Sequence, residues 1–136
     1  MPAVGGDITE ITYNHPTIGQ GTLFPKANEG NTLDPGGIRT SDDASMIDGT
    51  GQPIWHLYRV RGSLEILCAN DMNTRNDIEV VRQLQESSLP ADWTFTMINE
   101  TVWGCSGKPV GDIAADVNAS TFTLKIASGN FKKIVG

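Results

Sequence analysis

From Asp7 onward the chain alternates apolar and polar residues in short runs separated by glycine, proline and asparagine. Alternation with a period of two is the mark of a strand with one buried face. It predicts strands over Asp7–Tyr13, Thr22–Lys26 and Ile54–Ala69. In the longest of these, His56, Tyr58 and Val60 share one face, and Trp55, Leu57, Arg59 and Arg61 the other. After Gly62 the apolar face is carried by Leu64, Ile66 and Cys68, so the glycine predicts a bulge or bend between two strand halves. Further strands are expected around Trp93, Phe95 and Met97, over Val102–Cys105, Val110–Val117 and Thr121–Ala127, and over Phe131–Val135. Turns are expected at Asn99-Glu100, Gly107-Lys108-Pro109 and Asn118-Ala119-Ser120.

The period changes once. Ile78, Val81 and Leu84 recur at helical spacing, with Arg75, Glu79, Arg82, Gln83 and Glu86 on the remaining face. A helix is predicted over 75–87, with Thr74 as N-cap, Asp77 as the reciprocal partner of a capping box and Leu89-Pro90 as its end. Turn signals at roughly ten-residue intervals point to an antiparallel sandwich or barrel carrying this one flanking helix. No internal repeat is visible.

One stretch resists this reading. Residues 27–53 hold five glycines, two prolines and five acids, and their aliphatic residues are Leu33, Ile38, Met46 and Ile47. A loop this long is unusual in a compact domain unless it serves a function or a partner orders it. A plain surface insertion is the alternative.

Composition narrows the class. At 136 residues the expectation is a single domain, 1–136, with a real core. Fifteen glycines and seven prolines suit a turn-rich β-fold. The net charge of −6 disfavours ordinary binding to phosphate backbones. The first residues lack the basic and apolar segments of a secretory leader, and no apolar run reaches membrane-spanning length. Folding in a reducing cytosol is the default, leaving Cys68 and Cys105 as free, buried thiols. A disulfide between them, formed after release from the cell, is the minority alternative.

Searches for chemistry fail on spacing. Ser106-Gly107-Lys108 lacks the upstream glycine of a phosphate loop, since Val102 stands in its place, and Pro109 replaces the magnesium-binding hydroxyl. His15, His56, Cys68 and Cys105 are not spaced as zinc-ligand pairs. Asp42, Asp43 and Asp48 resemble a calcium loop in composition alone. Cys105 with either histidine is a pairing many chains would offer, so a Cys105-dependent enzyme is a weak third reading. Two glycosylation sequons, at Asn99 and Asn118, carry no weight without secretion. Trp55, Trp93 and Trp103 would make a sugar-binding platform if exposed together, but their strand settings favour core or interface packing. No catalytic residue, cofactor or metal site is assigned.

The run Gly107-Lys-Pro-Val-Gly-Asp-Ile, followed by Ala119-Ser-Thr-Phe-Thr-Leu-Lys-Ile-Ala, resembles the C-terminal region of tail tube proteins of contractile-tailed bacteriophages. The size, acidic balance, single mid-chain helix and long polar loop are similar to that family as well. The resemblance implies a non-catalytic structural subunit of the virion tail, assembled in the host cytoplasm. Hexameric rings of it would stack into a hollow tube that conducts DNA without binding it specifically. It implies as partners the chain itself, the tail sheath, the baseplate and the tape-measure protein, and no membrane. Contacts within and between rings would fall on Asn28, Leu33, Ile38, Arg39, Asp42, Asp43, Met46 and Ile47. The candidates for the lumen are Glu65, Asp112 and Asp116, with Thr94, Thr96, Thr121 and Thr123 as polar strand faces. Arg75, Glu79, Arg82 and Glu86 would face the sheath. The tube of a related contractile injection apparatus and a monomeric carbohydrate-binding β-sandwich are the alternatives.

Overall fold

The computed structural model describes residues 2–27 and 29–135. Its elements, numbered along the chain, are β1 (Ile8–His15), β2 (Gly19–Leu23), β3 (Thr32–Asp34), β4 (Gly37–Thr40), β5 (Leu57–Val60), β6 (Gly62–Ala69), α1 (Asp77–Glu86), β7 (Ala91–Met97), β8 (Val102–Pro109), β9 (Ala115–Asp116), β10 (Thr121–Ser128) and β11 (Lys132–Val135). The fold is mainly β, antiparallel, with a single helix on one side, as the alternation predicts. The large sheet runs β2-β1-β7-β8-β10-β6-β3, with β11 joined to β8 and β9 to β10.

The sheet closes on itself. Just past β2, Pro25 bridges Cys68 of β6. The Lys26 amide donates to the Leu67 carbonyl at 2.9 Å, and the Ala69 amide to that of Phe24 at 2.8 Å. Closure into a barrel removes most free strand edges and encloses the side chains of one face. Those side chains are Ile11 and Tyr13 of β1, Leu64, Ile66 and Cys68 of β6, Trp93 and Phe95 of β7, and Phe122, Leu124 and Ile126 of β10. Trp93 is 1% exposed, and its indole N–H donates to the Gly107 carbonyl at 3.0 Å, so no polar atom of that side chain is left unpaired in the core.

The helix plugs the barrel with Val81 and Leu84, and Ile78 packs beside them. It starts at Asp77, two residues later than expected, and Thr74 is not its N-cap. Asp71 attracts the preceding turn instead. Its carboxylate accepts the Asn73 amide at 2.9 Å and the Thr74 hydroxyl at 2.7 Å, so the hydroxyl is committed before the helix begins. The N-cap position falls to Asn76, in the left-handed region (φ 51°) and without a side-chain cap. Asp77, rather than closing a capping box, is buried, accepts the Asp71 amide at 3.0 Å and lies 3.3 Å from the Arg75 guanidinium.

At the other end of the helix, buried His15 pins the β1–β2 turn to the loop that follows α1. Its Nδ1 accepts the amides of Thr17 and Ile18, both at 3.1 Å. An acceptor nitrogen carries no proton, so the ring proton sits on Nε2, which faces the Ser87 hydroxyl at 2.9 Å and the Leu89 carbonyl at 3.2 Å.

Three segments depart from the sequence expectation. Gly107-Lys108-Pro109 is strand, not turn, and pairs with Ser128, Ala127 and Ile126. Gly107 has no side chain to clash with the Ala127 carbonyl, and Pro109 sits where β8 has already left β7, so its missing N–H costs no ladder bond. Residues 110–117 are mostly irregular and hold only the two-residue β9. The stretch 27–53 is not one loop. It holds β3, which pairs with β6, and β4, which pairs with β5 in a sheet of its own. The bend at Gly62 is present, and a side chain there would meet the Phe131 ring and the Pro35 carbonyl.

Candidate assembly surfaces

The β4–β5 pair is an arm. Gly36 and Gly37, with φ of 78° and 112°, turn the chain out of β3 in a conformation that side-chain-bearing residues rarely adopt. The chain returns through Arg61 and Gly62. At this root the Phe131 amide donates to the Pro35 carbonyl at 3.1 Å, and the Arg39 guanidinium pairs with Asp34. Beyond β4 and β5 the ladder continues with the Ser41 amide on the His56 carbonyl and the Ile54 amide on that of Met46, ending in a tight turn over 48–52. The Asp48 carboxylate holds that turn through the Thr50 amide and hydroxyl, which keeps its pKa below the ordinary carboxylate value; Asp43 does the same through Ser45.

Register sorts the arm side chains into two faces. Ile38 stands opposite Arg59, and Thr40 opposite Leu57, so these four share one face; alternation continued past the ends of β5 adds Trp55, with Asp42 opposite it, and Arg61. Ile38 is 69% exposed, Leu57 62% and Trp55 72%. On the other face the His56 and Tyr58 rings stack at 6.4 Å. An isolated two-stranded sheet is marginal in water, and a row of exposed large apolar side chains is a recognition surface or a liability. Leu33, a candidate contact residue, is half-buried on β3 and packs against the barrel core. Met46 is half-buried, and Ile47, Asp42 and Asp43 are exposed towards the tip. Asn28 lies outside the described residues.

A second surface is the outer face of β2, β1 and β7. Glu10, Thr12 and Asn14 of β1 register with Thr96, Thr94 and Asp92 of β7, and Thr12 and Asn14 with Thr22 and Gln20 of β2. These three strands contain no lysine or arginine. The face is a carpet of short polar groups with two acids. Of the candidates for a polar wall, Thr94 and Thr96 lie here; Thr12, Asn14, Gln20 and Thr22 did not stand out because they fall on short strands that meet only in the folded sheet. Glu65 lies instead on β6, opposite Lys125 and Thr32. Asp112 is exposed in the 110–114 segment, and Asp116 stands in β9 opposite Thr121.

The third surface is the polar side of α1. Arg82 pairs with Glu79 and, at 3.0 Å, with Glu86, all well exposed. Arg75 turns away to Asp77 and lies 4.9 Å above the Phe24 ring, where it staples the helix start to the barrel.

Among the described residues no group of three or more His, Cys, Asp or Glu is arranged to hold a metal ion. His15 is committed inside the fold and His56 stands on the arm. Both thiols are free; Cys68 is buried as expected, but Cys105, at the β8 surface, is only half-buried. Desolvation pushes each up to about 12, against a Ser128 hydrogen bond at Cys105, with a neighbouring carboxylate adding to the rise. The tryptophans do not form one platform: Trp93 is core, Trp103 packs against it, and Trp55 is on the arm. No described helix is long and apolar enough to cross a membrane.

No family model matches the chain, and no curated protein matches it. A solved structure does: a chain of the anti-feeding prophage baseplate, determined by electron cryo-microscopy with six-fold symmetry imposed. The two share 17% identity with a TM-score of 0.59, over 99% of this chain and 97% of the other. At that identity the likeness is one of fold, along almost the entire length of both chains.

Proposed function

We propose that this protein is a structural subunit of a contractile-tail-type particle and, more finely, that copies of it form rings that stack into its tube. The observation that carries this reading is the arm, a separate two-stranded sheet with three large apolar side chains more than half exposed on one face. Such an element gains stability only when another molecule covers it, and the most available molecule is a second copy. The fold shared with a chain of a six-fold prophage baseplate supports the same setting. That baseplate origin equally supports a tube or hub of a related injection apparatus, which remains the alternative to a phage tail tube.

In this reading the outer face of β2, β1 and β7 lines the lumen. Short hydroxyls and amides with Glu10 and Asp92, and no cation, would repel a phosphate backbone and let DNA slide. The ion-paired face of α1 is left for the sheath, and baseplate and tape-measure proteins are the remaining partners. The role is scaffolding, without catalysis.

Negative-stain microscopy of the purified protein, alone and with its sheath or baseplate partners, tests the assignment. Six-fold rings or stacked tubes are expected. Persistent monomers under all these conditions would overturn it.

A further inference from the structure

The arm carries only half of a contact, and the other half is on the same chain at the far end of the barrel. The ladder between β6 and β10 runs from Gly62↔Ser128, at the arm root, to Ala69↔Thr121. At the strand rise of about 3.4 Å this separates the ends by on the order of 25 Å. Beyond Ala69 and Thr121 two turns are tied together by the Asn70 amide, which donates to the Ser120 carbonyl at 2.7 Å. They line one cleft and present Met72 and Val117, which are 59% and 70% exposed.

Each end carries both signs, but the charges set directly beside the two apolar sets differ, arginines near the arm root and carboxylates at the far turns. The exposed arm face sets Arg59 and Arg61 beside Ile38, Leu57 and Trp55, and neither arginine has an ion pair among the described residues. The far patch sets Asp71 and Asp116 beside Met72 and Val117. Asp71 is held ionised by the amides and hydroxyl it accepts and is already paired with the Arg75 guanidinium at 3.4 Å, while Asp116 accepts only the local amides of Asn118 and Ala119 and carries the unpaired charge of the patch. Both apolar sets are exposed in the single chain, so the arm does not cover its own patch.

Accordingly, we infer that the Ile38–Leu57–Trp55 face of one copy docks on the Met72–Val117 patch of a second copy, with Arg59 and Arg61 set against Asp71 and Asp116. The occupant is a second copy because the chain itself supplies both halves, matched in polarity and opposite in charge. Different surfaces meet, so the contact is heterologous; lying at opposite ends of the barrel, they propagate as an open stack when the rotation between copies does not close a ring. Like charges placed opposite each other in such a contact are strongly unfavourable, and matched ones fix its register. The inference rests on the tube reading for its setting but makes a pairwise claim of its own.

Two experiments test it. In the first, Arg59→Glu with Arg61→Glu, and separately Asp116→Lys with Val117→Lys, should each raise the concentration needed for pelletable assemblies by about tenfold or more. An equimolar mixture of the two variants should recover co-assembly. In the second, Leu57→Cys on one copy and Val117→Cys on another, both at exposed positions that leave the core intact, should form a covalent dimer on oxidation. Both changes in one chain should give a ladder. If wild-type tubes form, the reversals leave them unchanged and no cross-link appears, the docking is wrong and the tube reading stands. If the ladder forms but neither rings nor tubes are seen, the docking holds and the tube reading falls. If neither assembly nor cross-link occurs, both are overturned.

Discussion

Single residues set the limits of this fold more sharply than its strand pattern does. Trp93 fills the barrel and satisfies its own indole N–H on Gly107, so Trp93→Ala should cost about 3–5 kcal/mol, read as a drop in the denaturant midpoint at unchanged slope. Titration of individual groups gives a second expectation. Asp71 has a pKa below its ordinary 3.8 because it accepts amides and a hydroxyl at the helix start. A depressed carboxylate stabilises the fold above its unfolded pKa and loses that contribution as pH falls through the folded one. The Cys68 and Cys105 thiols are shifted the other way, from 9.0 to about 12, by burial. A raised group contributes fully below its unfolded pKa and loses the contribution as pH rises towards the folded one. These groups should therefore make stability against denaturant decline below about pH 4 and above about pH 9. Asp71→Asn should flatten the acid limb, and Cys68→Ala part of the alkaline limb. Acid and alkaline limbs left unchanged by these two substitutions would contradict this assignment of groups.

The element that matters most is the arm, and its hinge is chemical as well as geometric. Gly36 is at φ 78° and lies against the backbone of Gly62, so Gly36→Ala is strained twice over, by about 1–3 kcal/mol. The barrel should survive, and the loss should appear mainly in assembly, measured by sedimentation. Removing 38–59 and joining Gly37 to its partner Val60 by a short turn keeps the β3–β6 pairing and the core. It should leave a monomer with a wild-type far-ultraviolet spectrum apart from the lost hairpin. Continued polymerisation of that variant would remove the arm from any role in the contact. The sequence hid this element for a physical reason. Its strands have no core to face, so the alternation that marks a half-buried strand is missing in Gly37–Thr40, and glycine-rich composition reads as loop.

At the scale of the whole molecule, burial decides thiol behaviour. Native protein should react with an alkylating reagent at pH 8 at least about a hundredfold more slowly than in denaturant, because little thiolate is present. Fast labelling of the half-buried Cys105 in the native protein would contradict its raised pKa. The sequence alone determined the fold class, the single helix, the break at Gly62 and the alternating core of β6, β7 and β10. In each case hydrophobic periodicity is a local property that one buried face imposes. Tertiary structure alone decided the rest. Closure depends on Phe24–Lys26 meeting Leu67–Ala69, some forty residues apart in sequence, which no local pattern records. The helix start moved because Asp71 claimed Thr74, a choice between two hydrogen bonds that the sequence offers equally. Gly107 to Pro109 became strand because β10 lay beside it. The polar face of β2, β1 and β7 and the exposed apolar sets at the arm and at Met72 and Val117 exist only once distant short strands share a sheet, because a surface is a property of neighbours in space.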